Sequence, residues 1–203
     1  MKMKKIDANS PEYRTLVSSL LGKDVFEDVP QIKMDPLIPL YIHFDFSITR
    51  IAGSFALQQF TKDFSWKPND IDIVVFDLDV IEFKNYVKEF CEATSSSMVK
   101  FKVFSESDKT YKRYKSTSLV KINNEELLLQ FVLIDSENKS IEERINSLCD
   151  VPSCISYKVI DGLKYFVIPE KAIESIINHR VDKKYMDNPS RILKYQERGY
   201  TFY

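Results

Sequence analysis

Between Ile51 and Val75 the chain reads IAGSFALQQFTKDFSWKPNDIDIVV, and this window restricts the possible fold more than any other stretch. Ile48 to Ala52 has the composition of a short strand, and Ser54 to Phe60 reads as a helix that opens directly behind Gly53. Lys62 to Asn69 reads as a loop. Asp70 to Phe76 alternates and is rich in Ile and Val, the pattern of a strand. Gly53 has no side chain to keep a phosphate from the backbone. Ser54, at a helix N-terminus, offers a hydroxyl, an N–H and the positive end of the helix dipole. Asp70 and Asp72, two apart on a strand, project from one face while Ile71 and Ile73 turn to the core. Two converging carboxylates are hard oxygen ligands for Mg2+ or Mn2+, and such an ion neutralises and orients nucleotide phosphates.

The flanking segments continue an α/β pattern. Ser10 to Leu21 has helical spacing with Ser10-Pro11 as cap and first turn, and an irregular stretch through Pro30, Pro36 and Pro39 follows. Ile81 to Ala93 has the period of an amphipathic helix. Met98 to Phe104 and Ser118 to Ile134 are β-rich, the second folding at Asn123-Asn124. A helix over Ser140 to Leu148 leads to a second hairpin, Cys154 to Ile160 and Leu163 to Ile168, turning at Asp161-Gly162. Pro169 opens a helix running to about Lys184, and Pro189 to Arg198 forms a last short one closed by Gly199. With 203 residues the expectation is one α/β (α+β) domain over 1–203. A mixed sheet flanked by helices forms its core at about 10–168, and a helical C-terminal appendage covers about 169–203.

The order strand, Gly-Ser, helix, strand with Asp-x-Asp resembles the nucleotidyltransferase superfamily, with its DNA polymerase beta-like fold. The surrounding Trp66, Pro68, Asn69, Asp70 and Asp72, then Gln130, and finally Arg191, Lys194, Tyr195, Arg198 and Gly199 look like small nucleotidyltransferase-like proteins of viral and fungal type. The resemblance implies metal-dependent transfer of a nucleoside monophosphate from a nucleoside triphosphate, such as ATP, to an RNA end, a protein or a small molecule, with pyrophosphate leaving. In full active sites of this type a third carboxylate on a later strand completes the metal site. Here LLLQFVLID places Gln130 at that position, and an amide oxygen ligates a metal without supplying negative charge. Asp150 is the alternative third ligand; Asp135, at the strand's end, has the wrong parity and reads as a structural cap. A catalytically degenerate nucleotide-binding or regulatory module is therefore the competing expectation.

Arg180, Lys183, Lys184, Arg191, Lys194 and Arg198 gather in the C-terminal helices, and Arg180 and Lys194 are candidates for triphosphate binding. Lys100 to Lys121 carries seven basic residues against two acids, and Trp66 to Glu92 seven acids against three lysines. A basic segment near an acidic metal site suits a polyanionic acceptor, and equally suits a solvated face. Tyr111, Arg113 and Tyr114 read as a loop or as base-stacking groups. Trp66 is expected to anchor the loop before Asp70. His43 and His179 lack the spacing of a metal pair. Cys91, Cys149 and Cys154, odd in number, read as free thiols of a reducing compartment, so a cytoplasmic location is expected. The N-terminal MKMKK has no apolar stretch behind it, so no secretory signal is expected, and apolar runs are too short for a membrane span.

Overall fold

The computed structural model describes residues 3–21, 35–105, 114–122, 127–135, 139–148, 151–186 and 188–203. Its frame is an eight-stranded sheet. In chain order the strands are β1 (Met3–Asp7), β2 (Thr49–Ala52), β3 (Ile71–Val75), β4 (Ser97–Val103), β5 (Tyr114–Ile122), β6 (Leu127–Ile134), β7 (Ser156–Ile160) and β8 (Leu163–Pro169). They lie in the order β1-β8-β7-β2-β3-β6-β5-β4, and only β3 and β6 run parallel. The helices are α1 (Pro11–Leu21), α2 (Gly53–Thr61), α3 (Val80–Ala93), α4 (Ile141–Leu148), α5 (Glu170–Asn178) and α6 (Pro189–Gln196), with a 3-10 helix over Ile38–His43.

Strand parity divides the molecule into two faces. Ile51, Ile71, Ile73, Leu129, Phe131 and Tyr157 point to the large core, where they meet Tyr13 and Val17 of α1, Phe55 and Phe60 of α2, and Phe83, Val87 and Phe90 of α3. Ala52, Val74, Phe76, Val132 and Ile134 point the other way and are covered by Ile145 of α4 in a smaller core. All nine residues of α2 are buried. A helix this short is marginal by itself, so burial holds it, at about 1.5–3 kcal/mol for a side chain such as Phe60. At the start of α3, Asp79 accepts from Ile81 and Glu82 N–H at 2.7 and 2.8 Å while Glu82 accepts from Asp79 N–H at 2.8 Å. Such a capping box is worth about 1 kcal/mol. Ser10 caps α1 through Tyr13 N–H at 3.1 Å.

The β7–β8 hairpin turns at Asp161 and Gly162, with φ of 51° and 77°. Two left-handed residues are what a two-residue turn between right-twisted strands requires. The Asn123-Asn124 turn lies outside the described residues. Three features depart from expectation. β1 adds an edge strand to the sheet by pairing with β8. The proline-containing stretch holds the 3-10 helix. The helix expected to run to Lys184 ends at Asn178, because His179 turns left-handed at φ 48° and Arg180–Val181 pairs as β9 with β10 (Thr201–Phe202). That pairing buries Val181, which a continued helix would have left to chance. The C-terminal segment thus carries a two-stranded ribbon whose strands precede and follow the helix Pro189–Gln196. Cys91 and Cys154 are buried; Cys149 lies outside the described residues. Among the described residues no helix is long and apolar enough to cross a membrane.

Candidate active site

A cavity of about 350 Å³ opens where β2 gives way to α2. Gly53 sits there at φ 72°, and a Cβ at this residue would run into Asp72 Oδ2, with Asp72 Cγ at 3.3 Å. Glycine is therefore demanded twice, by the backbone angle and by the carboxylate pressed against it. The N-cap residue Ala52 offers no side-chain cap, and Gly53 and Ser54 at the start of α2 line the cavity, at the end of the helix that carries partial positive charge.

Asp72 is flanked in register by Ala52 on β2 and by Gln130 on β6, and Asp70 stands one residue before β3. All three polar side chains line the cavity. Burial, and then the charge of Asp70, push the Asp72 carboxyl up to about 7, while Lys194 and Arg191 pull it down. Even with Lys194 and Arg191 nearby, two neighbouring carboxylates in a desolvated site repel one another, a condition that a divalent cation between them would relieve. Asp70, Asp72 and the amide oxygen of Gln130 fit the oxygen-donor preference of Mg2+ or Mn2+. Among the described residues no group of three or more His, Cys, Asp or Glu gathers around a common point, so the acidic donors here number two.

The opposite wall comes from α6. Arg191, Lys194 and Tyr195 line the cavity from there. Burial, and then the nearby Arg198, lower the Lys194 pKa, against the pull of Asp70 and Asp72. The helix is held by Arg198, whose guanidinium lies 3.7 Å from the Trp66 ring and 5.1 Å from the Tyr195 ring. Trp66 is itself fixed, its indole N–H donating to Asp63 Oδ2 at 3.0 Å and its carbonyl accepting from Gln58 Nε2 at 2.5 Å. The loop before Asp70 and the helix carrying Lys194 are thereby one packed unit.

Gly53, Ser54, Asp70, Asp72, Gln130 and Lys194, read from distant parts of the sequence, thus share one cavity, with Arg191 beside them. Arg180 does not join them: it stands in β9 with its guanidinium 4.5 Å from the Tyr203 ring. Lys184 pairs with Asp182 on the surface. Asp135 pairs with Lys115 at 3.1 Å, and its carbonyl accepts from Arg144 Nε at 2.7 Å. Asp150, Tyr111 and Arg113 lie outside the described residues, whereas Tyr114 lines the cavity. His43 packs edge-on against Phe90, and His179 stacks on Tyr200. Sequence reasoning missed Ser153 and Ile145, which also line the cavity. Neither belongs to a motif, and only the return of β7 beside β2 brings Ser153 near.

Comparison with known proteins adds the fold. No family model matches the sequence, and no curated protein sequence matches it. Among solved structures, a tRNA-processing enzyme in an apo form matches with a TM-score of 0.55 at 14% identity, covering 87% of this chain and 45% of that one. A CCA-adding enzyme solved with CTP matches at 0.53 and 19% identity, and one solved with ATP at 0.52 and 15%; each covers 100% of this chain and 43% of the other. The fold is shared with these enzymes. This chain spans less than half the length of each.

Proposed function

We propose that this protein transfers a nucleoside monophosphate from a nucleoside triphosphate to an acceptor hydroxyl. The observation that carries the reading is the meeting, in one cavity, of an uncapped Gly53-Ser54 helix start, the Asp70 and Asp72 carboxylates and the cations of α6. The triphosphate is seated by Ser54 and the first N–H groups of α2, with Lys194 and Arg191 balancing its charge from the other wall. A divalent cation held by Asp70 and Asp72, with Gln130 as a neutral donor, would supply charge neutralisation at the phosphates. The acceptor oxygen bonds to the α-phosphorus as that phosphorus releases the bridging oxygen to the β-phosphate. Pyrophosphate leaves with the negative charge and the hydroxyl proton passes to water. The protein's contribution is alignment and charge, which is where most of the acceleration of such reactions arises. The fold shared with CCA-adding enzymes solved with CTP and with ATP supports a nucleoside triphosphate as donor.

The same sheet face supports a polyanionic strand, such as an RNA end, as acceptor. Beyond Gln130 the face continues through Leu119 and Thr117 of β5 to Lys100 and Lys102 of β4, which pair with them in register. A depression of about 260 Å³ there shares Gln130 and Tyr114 with the cavity, and Lys102 Nζ lies 4.4 Å from the Phe104 ring. Lysines interleaved with aromatic rings suit phosphates and bases together.

The test is incubation with each nucleoside triphosphate labelled at the α-phosphate, an RNA oligonucleotide and Mg2+ or Mn2+. The wild type is expected to label the RNA and Asp70→Asn to lose this; equal labelling by Asp70→Asn and Asp72→Asn overturns the site assignment. Gln130, standing where a third acid is expected, favours a second reading, a binding module that has kept the nucleotide seat without turnover. In that case nucleotide raises the melting temperature and no pyrophosphate appears.

A further inference from the structure

A second cavity, of about 630 Å³, lies on the opposite face of the sheet, among α1, the 3-10 helix, the C-terminal end of α2 and the β7–β8 turn. Its polar floor is built around Asp35, which is 3% exposed. That carboxylate is fully engaged. It pairs with Lys164 Nζ, accepts from the Tyr41 hydroxyl at 2.5 Å and accepts from Leu37 N–H at 3.0 Å. Lys164 also donates to Gln59 Oε1 at 2.7 Å, and the Tyr41 and Tyr157 hydroxyls lie 2.8 Å apart. One buried negative charge therefore answers one buried positive charge, with hydrogen bonds completing both.

Lys62 breaks the balance. It is the left-handed C-cap residue of α2, at φ 56°, and it lines this cavity with Lys164 and with Arg14 of α1. Among the described residues its ammonium has no hydrogen-bond or ion-pair partner. Burial, followed by repulsion from Lys164, lowers its pKa to about 8 against the attraction of Asp35. A half-buried ammonium without a partner costs folding energy that an incoming anion would recover. The remaining lining is mixed: Asn9 and the Asp161 carboxylate stand at the β7–β8 turn side, while Phe46, Val159, Ile38 and Ile42, the last 86% exposed, supply an apolar wall; Lys62, Lys164 and Arg14 still outnumber Asp35 and Asp161. The volume is that of a pocket for a small organic molecule.

We infer that this cavity is a second ligand site, taking a small organic anion whose carboxylate, phosphate or sulfonate meets Lys62 and whose apolar body lies against Phe46, Ile38 and Ile42. It lies outside the nucleotide cleft: Gly53 starts α2 in one cavity and Lys62 ends it in the other. The ligand's negative charge supplies what Asp35, already committed to Lys164, does not.

The probe is 8-anilinonaphthalene-1-sulfonate, followed by fluorescence on the full chain, beside its uncharged analogue N-phenyl-1-naphthylamine. The wild type is expected to bind one equivalent of the sulfonate saturably, at least about tenfold more tightly than the neutral analogue. Lys62→Gln is expected to remove that preference, with folding verified by circular dichroism, and Lys62→Arg to keep it. Paired Arg191→Gln and Lys194→Gln substitutions in the first cavity leave it unchanged. Equal affinity for the two probes in the wild type, or a preference that survives Lys62→Gln and disappears with the α6 substitutions, overturns the proposal. Non-saturable binding of the sulfonate overturns it as well.

Discussion

The two cavities stand at opposite ends of α2, and each buries one charge against its ordinary ionisation, a carboxylate in the first and an ammonium in the second. In the first, two carboxylates share a desolvated site, and burial with mutual repulsion pushes Asp72 up to about 7. In the second, Lys62 shares the cavity with Lys164 and Arg14 as well as with Asp35 and Asp161, and burial pushes it down to about 8. Arg50 and Glu142 offer the contrast. Arg50 is 7% exposed, yet its guanidinium donates to Glu142 at 3.2 and 3.3 Å and to the carbonyls of Phe46 and Thr49 at 2.6 and 2.7 Å. That set is closed and asks for no ligand. Burial of charge alone does not mark a binding site; burial that displaces a group from its ordinary ionisation beside a cavity does, and the sign of that group's charge names the partner that would restore it.

The sharpest way to break the comparison is Asp72→Asn, which removes one charge at constant size. Transfer is expected to fall by about 10³-fold in a labelling assay, since under the proposed function the substitution would take away a ligand of the cation and the charge that would hold it. Binding of the sulfonate probe in the second cavity stays as it was. A variant that keeps even a tenth of the wild-type transfer rate removes Asp72 from the site. Gly53→Ala acts next. It places a Cβ against the Asp72 carboxylate and a non-glycine residue at φ 72°, costing about 1–3 kcal/mol of stability. A lower melting temperature and the loss of a nucleotide-induced thermal shift are expected together; an unchanged shift refutes the seat. Trp66→Ala removes the ring beneath Arg198, a contact worth about 1–2 kcal/mol in a desolvated setting. Because α6 carries Lys194 and Arg191, KM for the nucleotide is expected to rise several-fold more than kcat falls.

The grouping of the candidate site was legible because its parts are local. Gly53, Ser54, Asp70 and Asp72 fall within twenty residues, and strand parity alone puts Asp72 opposite Ile71 and Ile73. Gln130 was legible by pattern, since β6 continues the sheet beside β3. The cations of the C-terminal segment were legible as charges and not as positions. Arg180 and Lys194 look alike in sequence, yet the chain turns left-handed at His179 and pairs β9 with β10, which carries Arg180 to Tyr203 and Lys194 to the cavity. Nothing in the helical period over Glu170 to Lys184 announces a strand two residues long whose partner is twenty residues away. β1 was hidden for the same reason, because a lysine-rich run carries no strand signal of its own and only its register with β8 makes it one. The second cavity had no signature at all. Asp35, Lys62 and Lys164 come from three separate segments, and each resembles an ordinary surface charge until the fold brings them together.

Lys62→Met is the smallest effect and tests the second half of the comparison. The pKa of Lys62 is lower in the folded protein, about 8, than the ordinary lysine value of 10.5. Below pH 8 both folded and unfolded states hold the proton, and the folded state bears the whole cost of burying the ammonium near Lys164. Between about pH 8 and 10.5 the unfolded chain binds more protons than the folded one, so the stability of the wild type rises with pH through that window and the cost is relieved. Lys62→Met keeps the length of the side chain and discards the charge. It is expected to unfold in urea with about 1 kcal/mol more stability at pH 7, a gain that shrinks as pH passes from 8 towards 10.5. The same substitution is expected to weaken the sulfonate probe about tenfold. Opposite signs for stability and binding are what distinguish a cation kept for a ligand from one that merely packs, because a packing residue replaced by methionine would move the two together or leave binding untouched.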